Sequence, residues 1–184
     1  MNKTLKIALS GSSSTGKSTL LKALQSTELA SRVTFLPEIT RSLKEKGFLI
    51  NEAGNLPTQI MVMNAHTSNL FCYDNFIVDR CLLDGFSYTK WLKDYRNAIP
   101  DWFMQYAYNV TTTYLPAYDF IFYLPIEFAA ENDGIRSTNE EFRQQVDEIM
   151  RSFIVDNPHL CRNVHEITGS VEERIEKILN IIDE

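Results

Sequence analysis

The chain has 184 residues, 44% hydrophobic and 23% charged, which suits one domain with one substantial core, and no apolar run approaches the roughly 20 residues needed to span a bilayer. A net charge of −6, with no dense Lys/Arg block, disfavours a protein that mainly grips a nucleic-acid backbone. Cys72, Cys81 and Cys161 are odd in number and widely spaced, which argues against zinc and for reduced thiols in a cytoplasmic protein.

The N-terminal residues lead into only four apolar or small positions before Ser10-Gly11, too few for a signal-peptide core, so neither secretion nor membrane association is expected. Leu5-Lys6-Ile7-Ala8-Leu9 reads as a first strand, and Ser18 to Leu29 as a helix with Leu20, Leu21 and Leu24 inside. Val33-Thr34-Phe35-Leu36 is a short strand stopped by Pro37, and helices are expected near 39–46 and 58–73. Phe76-Ile77-Val78-Asp79 is a strongly apolar strand ending in an acid, followed by helices near 82–93 and 99–114.

Phe120-Ile121-Phe122-Tyr123-Leu124 is a further strand, ended by Pro125. Thr138 and Glu141 fit a capping box for a helix near 139–155, and Val164-His165-Glu166-Ile167 fits a last strand. Ser170 and Glu173 form a second capping box, opening a final helix lined by Ile175, Ile178, Leu179 and Ile182. The alternation predicts an α/β fold: a five-stranded parallel sheet in a three-layer arrangement, in a single domain over 1–184. The polar stretch 125–138 reads as a mobile lid.

The decisive motif is Gly11-Ser12-Ser13-Ser14-Thr15-Gly16-Lys17-Ser18, set between the first strand and the first helix. Its glycines let the backbone bend around a phosphate, and successive N–H groups then form an anion nest at a helix N-terminus. Lys17 supplies a full charge toward the β- and γ-phosphates, and the Ser18 hydroxyl can ligate Mg²⁺. Residues Gly11 to Thr19 are therefore the expected nucleotide site, with ATP and Mg²⁺ as cofactors. Asp79, closing a buried strand, is the second metal-holding candidate. Arg80 follows it where many water-activating ATPases carry a Glu, so the pair offers a cation for phosphate and no base for water.

Switch GTPases need an Asn-Lys-x-Asp segment, which the chain lacks. A compact chain with an arginine-bearing lid fits a phosphotransferase better. Arg136 and Arg143 are expected to reach the phosphates when the lid closes. Glu38, at the carboxyl end of the second strand, is the candidate acceptor-side base, with Arg41 one turn on as a substrate contact. Asp84 is a candidate for a ribose hydroxyl, and the aromatic-rich region 57–114 should build the acceptor site, with Gln59, Asn64 and His66 able to read base edges.

Gly11 to Ser18, Pro37-Glu38-x-x-Arg41, Asp79-Arg80 and Asp133-Gly134-x-Arg136, in this order, resemble the P-loop nucleoside and nucleotide kinases. The set is most similar to the AAA-type ATPase/kinase family that includes the kinase domain of bifunctional nicotinamide-ribosyl kinases. Deoxynucleoside and thymidylate kinases share a similar layout at greater distance. The resemblance implies that Glu38 faces an acceptor hydroxyl, that Asp79-Arg80 lies near metal and phosphates, that Arg136 is a lid arginine, and that adenine passes Thr168-Gly169-Ser170. No adenylyltransferase domain accompanies these motifs, so a bifunctional role is not expected. The expected activity is ATP-dependent transfer to a hydroxyl of a nucleoside, nucleotide or similar small molecule. A kinase acting on a modified base or end in DNA, and a regulatory ATPase without an acceptor, remain alternatives. The oligomeric state is open, a homodimer included.

Overall fold

In the computed structural model, which describes residues 4–129 and 139–184, five parallel strands form one sheet in the order β2-β3-β1-β4-β5. The chain runs β1 (Leu5–Ser10), α1 (Lys17–Leu24), β2 (Thr34–Leu36), α2 (Ile39–Glu45), α3 (Leu56–Cys72), β3 (Asn75–Asp79), α4 (Leu82–Arg96), α5 (Asp101–Tyr114), β4 (Phe120–Tyr123), α6 (Glu140–Asp156), β5 (Val164–Glu166) and α7 (Val171–Asp183). The expected α/β architecture is present.

Successive side chains of a strand point to opposite faces, and the sheet divides its core accordingly. Ala8, Phe76, Val78, Ile121 and Tyr123 pack with residues of α3, α4, α5 and α6. Ile7, Leu9, Ile77 and Phe122 pack with residues of α1 and α7. Both faces are covered, which is why β1, β3 and β4 read as near-continuous apolar runs instead of alternating ones. Among the described residues, no helix is long and apolar enough to cross a membrane.

Side-chain oxygens set three helix ends in ways the sequence expectation did not foresee. The first helix stops at Leu24, not Leu29. The Thr27 hydroxyl donates to Leu24 O at 2.7 Å and accepts from Leu29 N at 3.3 Å, so it ends one helix and caps the short 3₁₀ turn Glu28–Ser31. α3 begins two residues before the expected 58, because the Asn55 side chain accepts from Thr58 N and Pro57 fits the first turn. α6 is capped by Asn139, which accepts from Phe142 N; Thr138, expected to cap it, lies outside the described residues. The Ser170/Glu173 capping box is present.

The strand order sets the site. β1 lies between β3 and β4: the chain goes from β1 to β2 on one side of it, and later from β3 across it to β4 on the other. A crevice opens at such a switch point, beyond the carboxyl ends of the strands.

Candidate active site

β1 ends at Ser10, and the next residues turn sharply: Gly11 has φ 145°, Ser14 φ 56° and Gly16 φ 87°. A Cβ on Gly11 would lie 2.4 Å from the carbonyl oxygen of Leu124, so only glycine lets the loop pass the end of β4. Ser12 to Thr15 are buried, and the hydroxyls of Ser13 and Ser14 have no partner among the described residues. Gly16 caps α1 without a side-chain acceptor, and no acid sits in the first turn. The positive end of the helix is therefore open toward the loop. Lys17 folds across it, its Nζ donating to Ser12 O at 2.5 Å and to Thr15 Oγ1 at 3.2 Å. Burial, with Arg80 nearby, lowers its pKa to about 8. Thr19 is exposed beside Gly16.

Beside the loop, Ser18 Oγ donates to Asp79 Oδ2 at 2.5 Å. Asp79 Oδ1 is buried without a partner among the described residues, and burial together with the Glu38 carboxylate raises the pKa of Asp79. An unmet carboxylate oxygen next to a hydroxyl suits a hard divalent cation. Among the described residues, no group of three or more His, Cys, Asp or Glu side chains could cage a metal. An ion at Ser18 and Asp79 would thus share its shell with water and phosphate oxygens, the habit of Mg²⁺.

Arg80 joins this loop to a second site. Its φ of 77° is rare for a bulky residue, and its N–H donates to Leu9 O at 2.9 Å, carrying the β1–β3 ladder one step further. The guanidinium places Nε on Glu38 Oε1 at 2.6 Å, and Nη1 on Gly11 O at 3.1 Å and Asp84 Oδ1 at 3.2 Å. Tyr88 stacks under it, 4.9 Å from ring centroid to guanidinium carbon. Burial opposes ionisation of Glu38, but Arg80, the Thr40 hydroxyl and Lys17 outweigh it and hold its carboxyl well below the usual range. Glu38, Arg80 and Tyr88 line a narrow cleft of about 30 Å³ together with Gln59 and His66. The Thr89 hydroxyl donates to Gly85 O at 2.7 Å, and its oxygen lies 3.0 Å from the Gln59 side-chain amide.

Several expected contacts fall elsewhere. Asp84 makes three bonds within the protein: Oδ1 accepts from Gly11 N as well as Arg80, and Oδ2 accepts from Cys81 N. It braces the loop against α4, and it also lines the cleft that holds Glu38. Arg143 is buried and aims its donors at the back of the loop, with Nε on Ser13 O at 2.9 Å, Nη2 on Phe128 O at 3.2 Å and Nη1 on Glu140. In this arrangement it holds loop carbonyls and the Glu140 carboxylate. Arg41 is exposed on α2 and is not part of the cleft wall. Arg136, and most of the expected lid, lie outside the described residues.

Arg174 is a site residue that the sequence motifs do not single out. From α7 its Nη1 donates to Thr15 O at 2.9 Å and its Nη2 to Glu127 Oε2 at 2.5 Å. The Phe128 ring lies 5.8 Å from its guanidinium carbon. Its spacing of four from Ile178 places it on the inner face of α7, a signal readable in the sequence. Gly169, at φ 107°, donates its N–H to Glu127. Gly169, Arg174 and Phe128 form with Gly16 and Thr19 an open groove on the far side of the loop from Glu38 and Arg80.

A strand, a phosphate loop and a helix at the switch point of a parallel sheet, with a Lys-Ser pair facing a strand-terminal Asp, define a P-loop nucleotide-binding protein. The chain belongs to the AAA domain family, whose model (AAA_28) matches residues 6–174. No curated protein is detectably similar in sequence. Among solved structures, a NadR protein in complex with NR superposes with a TM-score of 0.73 at 16% identity, over 98% of this chain and 51% of that one. The chain thus spans about half of NadR. Deoxyadenosine kinase from M. mycoides with bound dATP gives 0.70 at 18% identity, covering 98% and 100%. Thymidylate kinase from Candida albicans gives 0.67 at 14%, covering 98% and 92%. The fold is shared with nucleoside and nucleotide kinases.

Proposed function

We propose that the chain is a phosphotransferase that moves the γ-phosphoryl group of ATP to a hydroxyl of a nucleoside, nucleotide or similar small molecule, acting in the cytoplasm. One observation carries this reading above nucleotide binding alone. A single guanidinium, that of Arg80, bonds both the phosphate loop at Gly11 O and the carboxylate of Glu38 in one cleft. Donor and acceptor places therefore meet at one side chain.

In this reading the nucleotide phosphates lie on the N–H groups of residues 11–18, and Lys17 exchanges the carbonyl of Ser12 for phosphate oxygens. Ser18 and Asp79 hold Mg²⁺, which supplies charge neutralisation on the phosphate oxygens. The base passes through the groove at Gly169, beside Arg174 and Phe128. Glu38, ionised throughout the physiological range, accepts a hydrogen bond from the acceptor hydroxyl. Its lowered pKa makes it a weak base, which suits a loose transition state in which the proton leaves late. Arg80 steadies the transferring group, with Arg136 as a further lid cation.

The test is a labelled-phosphate transfer screen with Mg·ATP across nucleosides, nucleotides, ribosyl-pyridines and DNA. Label on a small-molecule hydroxyl is the expected result. Steady ATP hydrolysis indifferent to every acceptor would point to a regulatory ATPase. Label confined to DNA, with steep salt dependence, would point to a nucleic-acid kinase.

A further inference from the structure

Glu38 occupies the N-cap of α2, where a carboxylate ordinarily accepts from N–H groups of the first turn. Its side chain makes no capping bond. The carboxylate turns instead to side chains: Oε1 accepts from the Thr40 hydroxyl at 2.5 Å and from Arg80 Nε at 2.6 Å. The two donors come from different elements, the first turn of α2 and the residue that follows β3. Both bonds fall on one oxygen, and Oε2 accepts from no described residue.

The terminal torsion of a glutamate is soft, so a single donor would leave the plane of the carboxylate free to turn. Two donors on Oε1 fix that plane and leave Oε2 for a ligand. Arg80 alone is a poor clamp, because its guanidinium also serves Gly11 O and Asp84. The Thr40 hydroxyl carries one proton, and that proton is given to Glu38. Thr40 is half-buried and lines the same cleft as Glu38, Arg80 and Tyr88. Burial opposes ionisation of Glu38; the Arg80 charge and then the Thr40 bond favour it.

We infer that Thr40 is a positioning residue for phosphoryl transfer: its hydroxyl, together with Arg80 Nε, holds Oε1 of Glu38 so that Oε2 receives the acceptor hydroxyl. This rests on the phosphotransferase reading above and deepens it. Thr40 acts through Glu38, and its hydroxyl matters more than its bulk.

The experiment measures kcat for labelled γ-phosphate transfer from Mg·ATP to whichever nucleoside, nucleotide or ribosyl-pyridine the parent labels best. Thr40→Val keeps the volume and the branched shape and removes the donor. It should lower kcat roughly tenfold while the Kd for ATP, read by calorimetry, stays within about twofold of the parent's. Thr40→Ser keeps the donor and loses a methyl group, and it should return kcat to within about threefold of the parent. A residue that only packs would show the reverse order, with Val tolerated and Ser impaired, and that order would overturn the inference. In a Glu38→Gln background, Thr40→Val should cost less than about twofold; a further tenfold loss there would mean that Thr40 acts apart from Glu38, which also overturns it. If Thr40→Val fails to bind ATP, Thr40→Ala takes its place and is compared with Thr40→Ser in the same way. Loss of transfer in Glu38→Gln beside a parental rate in Thr40→Val would remove the inference alone. A parent that labels no acceptor would remove the phosphotransferase reading and the inference with it.

Discussion

Lys17 is the full charge that the loop itself supplies to a nucleotide, so its loss should be felt mainly where charge develops. Lys17→Ala is expected to lower phosphoryl transfer by at least several hundredfold, in line with ~3–4 kcal/mol for a well-placed electrostatic donor. Single-turnover transfer measures this, and a near-normal rate would refute the assignment. Glu38→Gln should behave differently. The substitution keeps the shape of the side chain and removes the charge that holds Arg80 at 2.6 Å and receives the acceptor hydroxyl. Affinity for ATP should persist while transfer falls, as read by calorimetry beside the transfer assay; equal loss of both would remove Glu38 from the acceptor side. These residues are legible in the sequence because their signals are local. Lys17 and Ser18 belong to one contiguous motif, and Glu38, Asp79 and Arg80 follow strand ends. The roles of Asp84, Arg143 and Arg174 are not, because their partners are distant in the chain. Gly11 and Asp84 are 73 residues apart, Ser13 and Arg143 130, and Thr15 and Arg174 159. No spacing rule links such pairs; only the docking of α4, α6 and α7 on the sheet does.

At the scale of elements, the phosphate loop is gripped from several sides. β4 presses on Gly11, Asp84 at the start of α4 takes its N–H, and arginines from α6 and α7 hold the carbonyls of Ser13 and Thr15. Gly11→Ala would put a Cβ against backbone at a φ that side chains rarely adopt, so the end of β4 or the loop must move. A loss of at least ~2 kcal/mol of stability is expected, with ATP binding lost, measurable by urea unfolding and calorimetry. Arg174→Met keeps a long side chain on the inner face of α7 and removes the bonds to Thr15 O and Glu127. Glu127 is partly exposed and can be hydrated. The stability cost should therefore be about 1–3 kcal/mol, below that of an isolated buried charge, with a weaker Kd for ATP. A Kd equal to the parent's would show that Arg174 does not shape the nucleotide site. The elements themselves are readable from buried apolar runs and capping pairs. Their ends are less so, because single hydroxyls and amides such as those of Thr27 and Asn55 decide them.

For the molecule as a whole, neutral His66 makes stability depend on pH in a definite direction. An unfolded chain protonates this histidine near 6.5, whereas burial delays protonation in the folded chain to about 4. Between these values the unfolded state binds more protons, so the contribution is full above 6.5 and is lost as pH falls toward 4. Asp84 and Glu38 favour the imidazolium and Arg80 opposes it, but burial dominates. Glu38 acts in the same sense at lower pH, since its own pKa is depressed: its contribution is present above about 4.5 and is lost below it. Asp79 acts in the opposite sense, because its raised pKa makes the folded state take up a proton first as pH falls. The parent alone would therefore show a mixture of slopes. The difference between the parent and His66→Phe isolates the imidazole. From pH 7 to pH 4 the parent should lose about 3 kcal/mol relative to the variant, measured by urea unfolding at a series of pH values. A difference that stays flat with pH would mean that His66 titrates in the folded protein as it does in the unfolded chain, and that burial does not hold back its protonation.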